Sequence, residues 1–244
     1  MKRGVPLLPV ALLGLLLAAC TADPLNVVVL NARAPGDKCD FLDNTRYVEG
    51  GSVDFRPYVV VPATLTTPAV VATTSFFGQI FAWENNLQPV ETSVNGQPVD
   101  NGTGNDFIAD SVVYEYQYTD PSITLGSETE NIHAVIVAGG KADDNSVGVG
   151  LIQPSASTAI LNSTAIDTGA QTLLVSFQIF GKIVAGTSKH TNKVSFPVTV
   201  YQSGPLDPVT GARVPLDCPS QGLIINGGAC NIPGRDQVIS CKKP

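Results

Sequence analysis

The sequence predicts an all-β protein built as an antiparallel β-sandwich, with a loop-rich, disulfide-stapled segment at its C-terminal end. Three observations carry this. Apolar residues alternate with polar ones in several stretches, the period of strands that bury one face of a sheet. Turn-forming Gly, Pro, Asn and Asp punctuate the chain at intervals of roughly ten residues, the spacing of short sandwich strands. No long apolar stripe at helical spacing follows residue 20.

Taken in order, Leu25-Asn26-Val27-Val28-Val29-Leu30 reads as a first, well-buried strand. Residues 31–51 hold Pro35-Gly36-Asp37 and Gly50-Gly51 and read as loop, with Cys39 inside it. Val53, Phe55, Pro57 and Val59 then share one face of a strand. Pro57 and Pro62 each delete a ladder donor, which places this strand at an edge or at a bulge. The stretch Phe76 to Glu84 fits a strand and a short helix equally well. Phe77, Ile80, Phe81 and Glu84 stand at helical spacing, with Ser75 as an available cap.

Phe107 to Tyr118 alternates Val112, Tyr114, Tyr116 and Tyr118 against Val113, Glu115 and Gln117. Ile132 to Val137 reads as a short central-type strand ending at Gly139-Gly140. The strongest signal is a long hairpin over residues 172–201. Leu173, Val175, Phe177 and Ile179 form the inward face of one strand; Val194, Phe196, Val198 and Val200 form that of the other. The polar stretch Gly186 to Asn192 joins them. One sandwich over residues 25–204, immunoglobulin-like or larger, accounts for these elements; two tandem immunoglobulin-like domains split near Pro121 are the alternative.

The chain has 244 residues and a net charge of −7. Charged residues make up 14 %, about half the usual ~25 %. An acidic chain without a basic cluster is a poor partner for nucleic acid.

The first residues carry a different message. Lys2 and Arg3 precede an apolar run from Leu7 to Leu17, too short for a bilayer span of ~20 residues but of signal-peptide length. The run ends in Leu17-Ala18-Ala19-Cys20, which resembles the lipobox of bacterial lipoproteins. The resemblance implies removal of residues 1–19, a thioether-linked diacylglycerol on Cys20 and a further acyl chain such as palmitate on its amine. It thus implies a lipid-anchored envelope protein with a short tether, residues 20–24, and the membrane as its partner. Losing Lys2 and Arg3, and no acidic residue, would take the side-chain charge from −7 to −9. Thr21 stands where an Asp tends to retain such proteins in the inner membrane, so the resemblance points to the outer membrane.

With Cys20 lipidated, Cys39, Cys218, Cys230 and Cys241 remain, an even number in an exported chain, and two disulfides are expected. Three connectivities are open, with a lean towards Cys39 pairing a C-terminal cysteine. Residues 205–244 hold three of the four, together with Pro215, Pro219 and Pro233, and have too little apolar material for a core of their own.

Catalytic signatures are sparse. His133 sits in an apolar strand and reads as a packed core residue; His190 lies in the polar loop and reads as solvated. There is no Gly-x-Ser-x-Gly elbow and no zinc spacing. Asp100 to Asp106 and Lys141 to Asn145 could offer oxygen ligands to calcium, but the same residues favour plain turns. No catalytic residue, cofactor or metal is expected. The expected role is a non-enzymatic binding or structural module. Its alternatives are a carbohydrate- or peptide-binding surface using exposed aromatics such as Trp83, Tyr114 and Tyr116, with an envelope protein or glycan as partner, and a hydrolase with carboxylates assembled by folding.

Overall fold

The computed structural model describes residues 25–34, 47–73, 77–95, 97–121, 123–163, 165–226 and 240–244. Residues 1–24, with Cys20, and the segments holding Cys39 and Cys230 lie outside these, so the expectations placed on them do too.

The chain starts with β1 (Val27–Arg33), the two-residue β2 (Tyr47–Val48) and β3 (Gly51–Asp54). A hairpin of β4 (Tyr58–Val61) and β5 (Val70–Ala72) follows, then the long β6 (Phe77–Asn85). A small hairpin of β7 (Glu91–Val94) and β8 (Gln97–Thr103) leads to β9 (Phe107–Tyr118), β10 (Glu128–Ile136) and β11 (Ser146–Ile152). Two short helices, α1 (Pro154–Leu161) and α2 (Ala165–Thr168), come before β12 (Gln171–Ile183), β13 (Ser188–His190) and β14 (Val194–Tyr201). The tail holds a 3₁₀ turn (Pro219–Gln221), β15 (Ile224–Asn226) and β16 (Ser240–Lys242).

Two sheets face each other, as the alternation requires. One has four strands in the order β11-β6-β1-β2; the other has the order β10-β9-β12-β14-β3, with β13 added beside β12. All pairs are antiparallel except β3, which runs parallel to β14. Both sheets draw strands from either side of Pro121, so a division there would cut both of them.

The inward faces interlock through aromatic rings. Phe81 of β6 meets Phe177 of β12 edge-on at 4.8 Å and Phe196 of β14 at 5.6 Å, while Trp83 meets Phe107 of β9 at 6.3 Å. Edge-to-face pairs at such distances add modestly to burial of the rings themselves. The hairpin lies as its alternation demands: Val175 pairs with Phe196 and Leu173 with Val198, all four side chains being buried. Gly181 lets β9 come close to β12 at a bulge; a Cβ there would stand 2.1 Å from the Ile108 carbonyl oxygen. Between the sheets, the Asn192 side chain acts as a strand partner. It accepts from the Val29 N–H at 2.8 Å and donates to the Val29 carbonyl at 2.9 Å.

Several expectations are corrected. Phe77 to Asn85 is a strand, paired with β1 and β11 on its two sides. The first strand begins and ends later than Leu25 to Leu30 and is half-buried: Val27 and Val29 point inward while Leu25 and Leu30 are exposed. Of the stretch Ile132 to Val137, Ile132 to Ile136 belongs to an edge strand, because among the described strands β10 pairs only with β9. Alternation along it turns His133 outward with Thr129, Asn131 and Val135, so His133 is exposed and is no core residue. Part of the polar stretch Gly186 to Asn192 is strand, since β13 pairs with the end of β12. The two helices were not anticipated: α1 opens on Pro154 and buries only Ala156, Ser157 and Ile160, too short a face to stand out.

The C-terminal segment is stapled as its composition suggests. Cys218, fully buried, is bonded to Cys241. This leaves Cys39 and Cys230 as the remaining two of the four.

Candidate functional site

Among the described residues, two places concentrate chemistry or unusual exposure. The first is a tyrosine ladder. Tyr114 and Tyr116 lie two apart on β9 and so share its inward face, their rings parallel with centroids 6.3 Å apart. The Tyr114 hydroxyl donates to Glu130 Oε2 at 2.6 Å, and Gln153 Nε2 donates to the same oxygen at 3.0 Å. Glu130 comes from β10 and Gln153 follows β11, so one carboxylate ties the two sheets together along this side.

Burial governs the chemistry of these phenols. It pushes the Tyr114 hydroxyl far up from its ordinary value, and the neighbouring Glu130 pushes further. Tyr116 rises for the same first reason, with Glu128 adding repulsion. Tyr118 is pushed up to about 12 by burial and then by Asp120. The Tyr116 and Tyr118 hydroxyls make no well-formed hydrogen bond, although the Gln153 backbone and the Ser163 side chain lie near enough to ease their burial. Phenols held protonated in this way cannot serve as bases or nucleophiles near neutrality. The ladder is a polar bridge between sheets.

The second place is the hairpin of β4 and β5 with its root. Buried Asp54 fixes the point of departure: its carboxylate accepts from the Arg56 N–H at 2.9 Å, from the Ser203 N–H at 2.9 Å and from the Ser203 hydroxyl. Pro57 then ends the ladder, and the chain turns to the tail. Leu216 N–H donates to the Pro57 carbonyl at 2.8 Å, and Val59 N–H to the Leu216 carbonyl at 2.9 Å. Val59 is the buried residue of the hairpin, and β4 lies against the 3₁₀ turn that follows disulfide-bonded Cys218. Gly204 allows the root to close, because a Cβ there would stand 2.7 Å from Arg56 Nε.

Beyond the root no other described strand pairs with the hairpin. Val60, Val61, Val70 and Val71 are each about half exposed and Leu65 at the tip is fully exposed. No charged residue occurs between Arg56 and Glu84. That interruption in charge was the available signal for this feature, and alternation passes over it.

The anticipated site residues are otherwise distributed. Trp83, Tyr114 and Tyr116 are buried, so they form no exposed aromatic groove; Trp83 and both tyrosines face the core or the inter-sheet bridge. The exposed ring on the outer face of the larger sheet is Phe180, tilted against His190 at 5.8 Å. His190 Nδ1 lies 2.9 Å from Gln178 Nε2, which also donates to the Thr191 carbonyl at 2.7 Å. Asp106 is buried and accepts from the Ala138 N–H at 2.8 Å. Lys141 to Asn145 forms a turn closed by backbone bonds and by Asn145 Nδ2 donating to the Lys141 carbonyl. Among the described residues no three His, Cys, Asp or Glu side chains converge as metal ligands, and no helix is long and apolar enough to cross a membrane.

Comparison with known proteins returns no match, whether to family models, to curated proteins or to solved structures.

Proposed function

We propose that the protein is a lipid-anchored component of a bacterial envelope whose sandwich is a non-enzymatic binding or structural module. The observation that carries this reading is the lipobox Leu17-Ala18-Ala19-Cys20 standing only a few residues ahead of the first strand at Val27. Cleavage before Cys20 would leave a polar tether of Thr21 to Pro24 between lipid and body. Two or three acyl chains hold such a protein firmly where one would not. Thr21 favours the outer membrane as its address.

The body supports a passive role by its chemistry. Among the described residues the strongly shifted groups are the three phenols, and burial shifts them away from neutral pH, so they stay protonated there. The two histidines lie exposed on β10 and β13, strands separated by β9 and β12. Cys20→Ala tests the anchor directly. The variant should leave the membrane fraction or remain uncleaved, and mass spectrometry of the wild-type N-terminus should find an acylated cysteine. An unacylated wild-type N-terminus at any other residue would sink the reading.

A further inference from the structure

We propose that the hairpin Tyr58–Ala72 is a second foot on the membrane, whose tip enters the lipid surface through Leu65. This rests on the lipid-anchored reading and deepens it by assigning the hairpin an occupant. The fully exposed leucine at the tip and the four half-exposed valines behind it give the arm an apolar surface in contact with water. A hairpin tip of a soluble, acidic protein ordinarily carries charge to keep such a surface apart from others. Here the chain carries none from Pro57 to Trp83, against 14 % overall, so nothing on the arm would have to be desolvated as an ion.

Hydrogen bonding within the tip favours lipid over a protein groove. Thr64 N–H donates to the Thr67 carbonyl at 2.8 Å. The Thr64 hydroxyl accepts from the Thr67 N–H at 3.1 Å and the Thr66 N–H at 3.4 Å, and it is also bonded to the Thr67 hydroxyl. Pro62 and Pro68, which flank the turn, have no N–H to satisfy. With the Thr64, Thr66 and Thr67 N–H groups and the Thr64 and Thr67 hydroxyls bonded inside the turn, the tip offers few donors to a protein partner that reads polar groups. For these bonded groups, the cost of entering a medium that supplies no partners is reduced.

The root makes the protrusion a fixed one, through Asp54, Leu216 and the Cys218–Cys241 staple. Its position matters as well. The chain enters the sandwich beside Asn85, since Asn86 N–H donates to the Asn26 carbonyl, at the end where Phe107, Ile136 and Ile183 lie. The hairpin leaves from the other end, beside Tyr201. Two attachments at opposite ends would lay the long axis of the sandwich along the bilayer. The lipid keeps the tip near the surface at high effective concentration, so weak insertion suffices.

The test uses full-length lipidated protein bearing Leu65→Trp, reconstituted on phosphatidylethanolamine–phosphatidylglycerol vesicles with and without brominated acyl chains. Native Trp83 is buried in the core, and wild-type spectra subtract its contribution. The added tryptophan should shift to shorter wavelength and be quenched at least twofold by the brominated lipid. Flotation of the vesicles reports the anchor separately. Protein that floats while its position 65 remains water-like and quenched by acrylamide overturns the foot and leaves the anchor standing. Protein that does not float overturns the anchor, and the foot with it.

Discussion

Replacing Phe177 by alanine should destabilise the protein by ~3–5 kcal/mol, the range for removing a fully buried aromatic ring. Phe177 has no exposed surface and its ring meets Phe81 of the facing sheet edge-on at 4.8 Å, so the substitution opens a cavity at the contact between sheets. The neighbouring Gln178 is the control. Alternation alone places it outward and would make its loss nearly silent, within ~0.5 kcal/mol. The structure revises that: its Nε2 donates to the Thr191 carbonyl at 2.7 Å and fastens β12 to the chain after β13, a bond of about 1 kcal/mol. Urea melts followed by circular dichroism measure both, with an unchanged m-value as the condition for reading midpoints as stability. A gap of ~2 kcal/mol or more in favour of Gln178→Ala is expected. Equal effects, or a worse result for Gln178→Ala, would refute the register of β12 and the inter-sheet aromatic contact together.

The tyrosine ladder predicts alkaline behaviour. Its phenols keep their protons in the folded state above the value near 10 at which unfolded tyrosine releases them, so their stabilising contribution is complete below pH 10 and is lost as pH rises beyond it. Urea midpoints should fall steeply above pH 10, and Tyr114→Phe with Tyr116→Phe should flatten that fall; an unchanged slope in the double variant would show that the ladder is not its source. Gly181→Ala should cost towards the upper end of ~1–3 kcal/mol through its clash with the Ile108 carbonyl, whereas Gly148→Ala, which meets nothing within 4 Å, should leave the melting temperature nearly unchanged.

Where one face of a strand is purely apolar, the sequence pattern carries through to the fold. This holds for β12 and β14 and for Val112, Tyr114 and Tyr116 on β9. Two buried polar residues explain why β6 was ambiguous. Gln79 and Asn85 face inward beside Phe77, Phe81 and Trp83, and their amides are spent on the Arg33, Asn105 and Ile136 carbonyls. They break the alternation, and outward-facing Ile80 then lends the stretch a helical look. On β10 the pattern misleads the other way: exposed Val135, with exposed Val137 just past the strand, makes the outer face look apolar and suggests a buried His133. For the candidate sites, a disulfide in the C-terminal segment, seen as Cys218–Cys241, and the edge behaviour caused by Pro57 were legible. The Glu130–Tyr114–Gln153 bridge was not, because it joins residues from three elements at no fixed spacing.

The parallel partnership of β3 with β14 bears on when this chain can fold. Gly51 to Asp54 find their partners only at Val198 to Tyr201, and β1 meets Asn192 across 163 positions of sequence. Contacts so distant must close long loops before they repay anything, which slows folding and puts off completion of the larger sheet until nearly the whole chain is available. A nascent chain of this topology has no finished N-terminal half. Were the chain exported as proposed, threaded through a membrane pore as an extended polymer, that delay would be useful: the chain would stay loose until the strand that completes the sheet had followed it across.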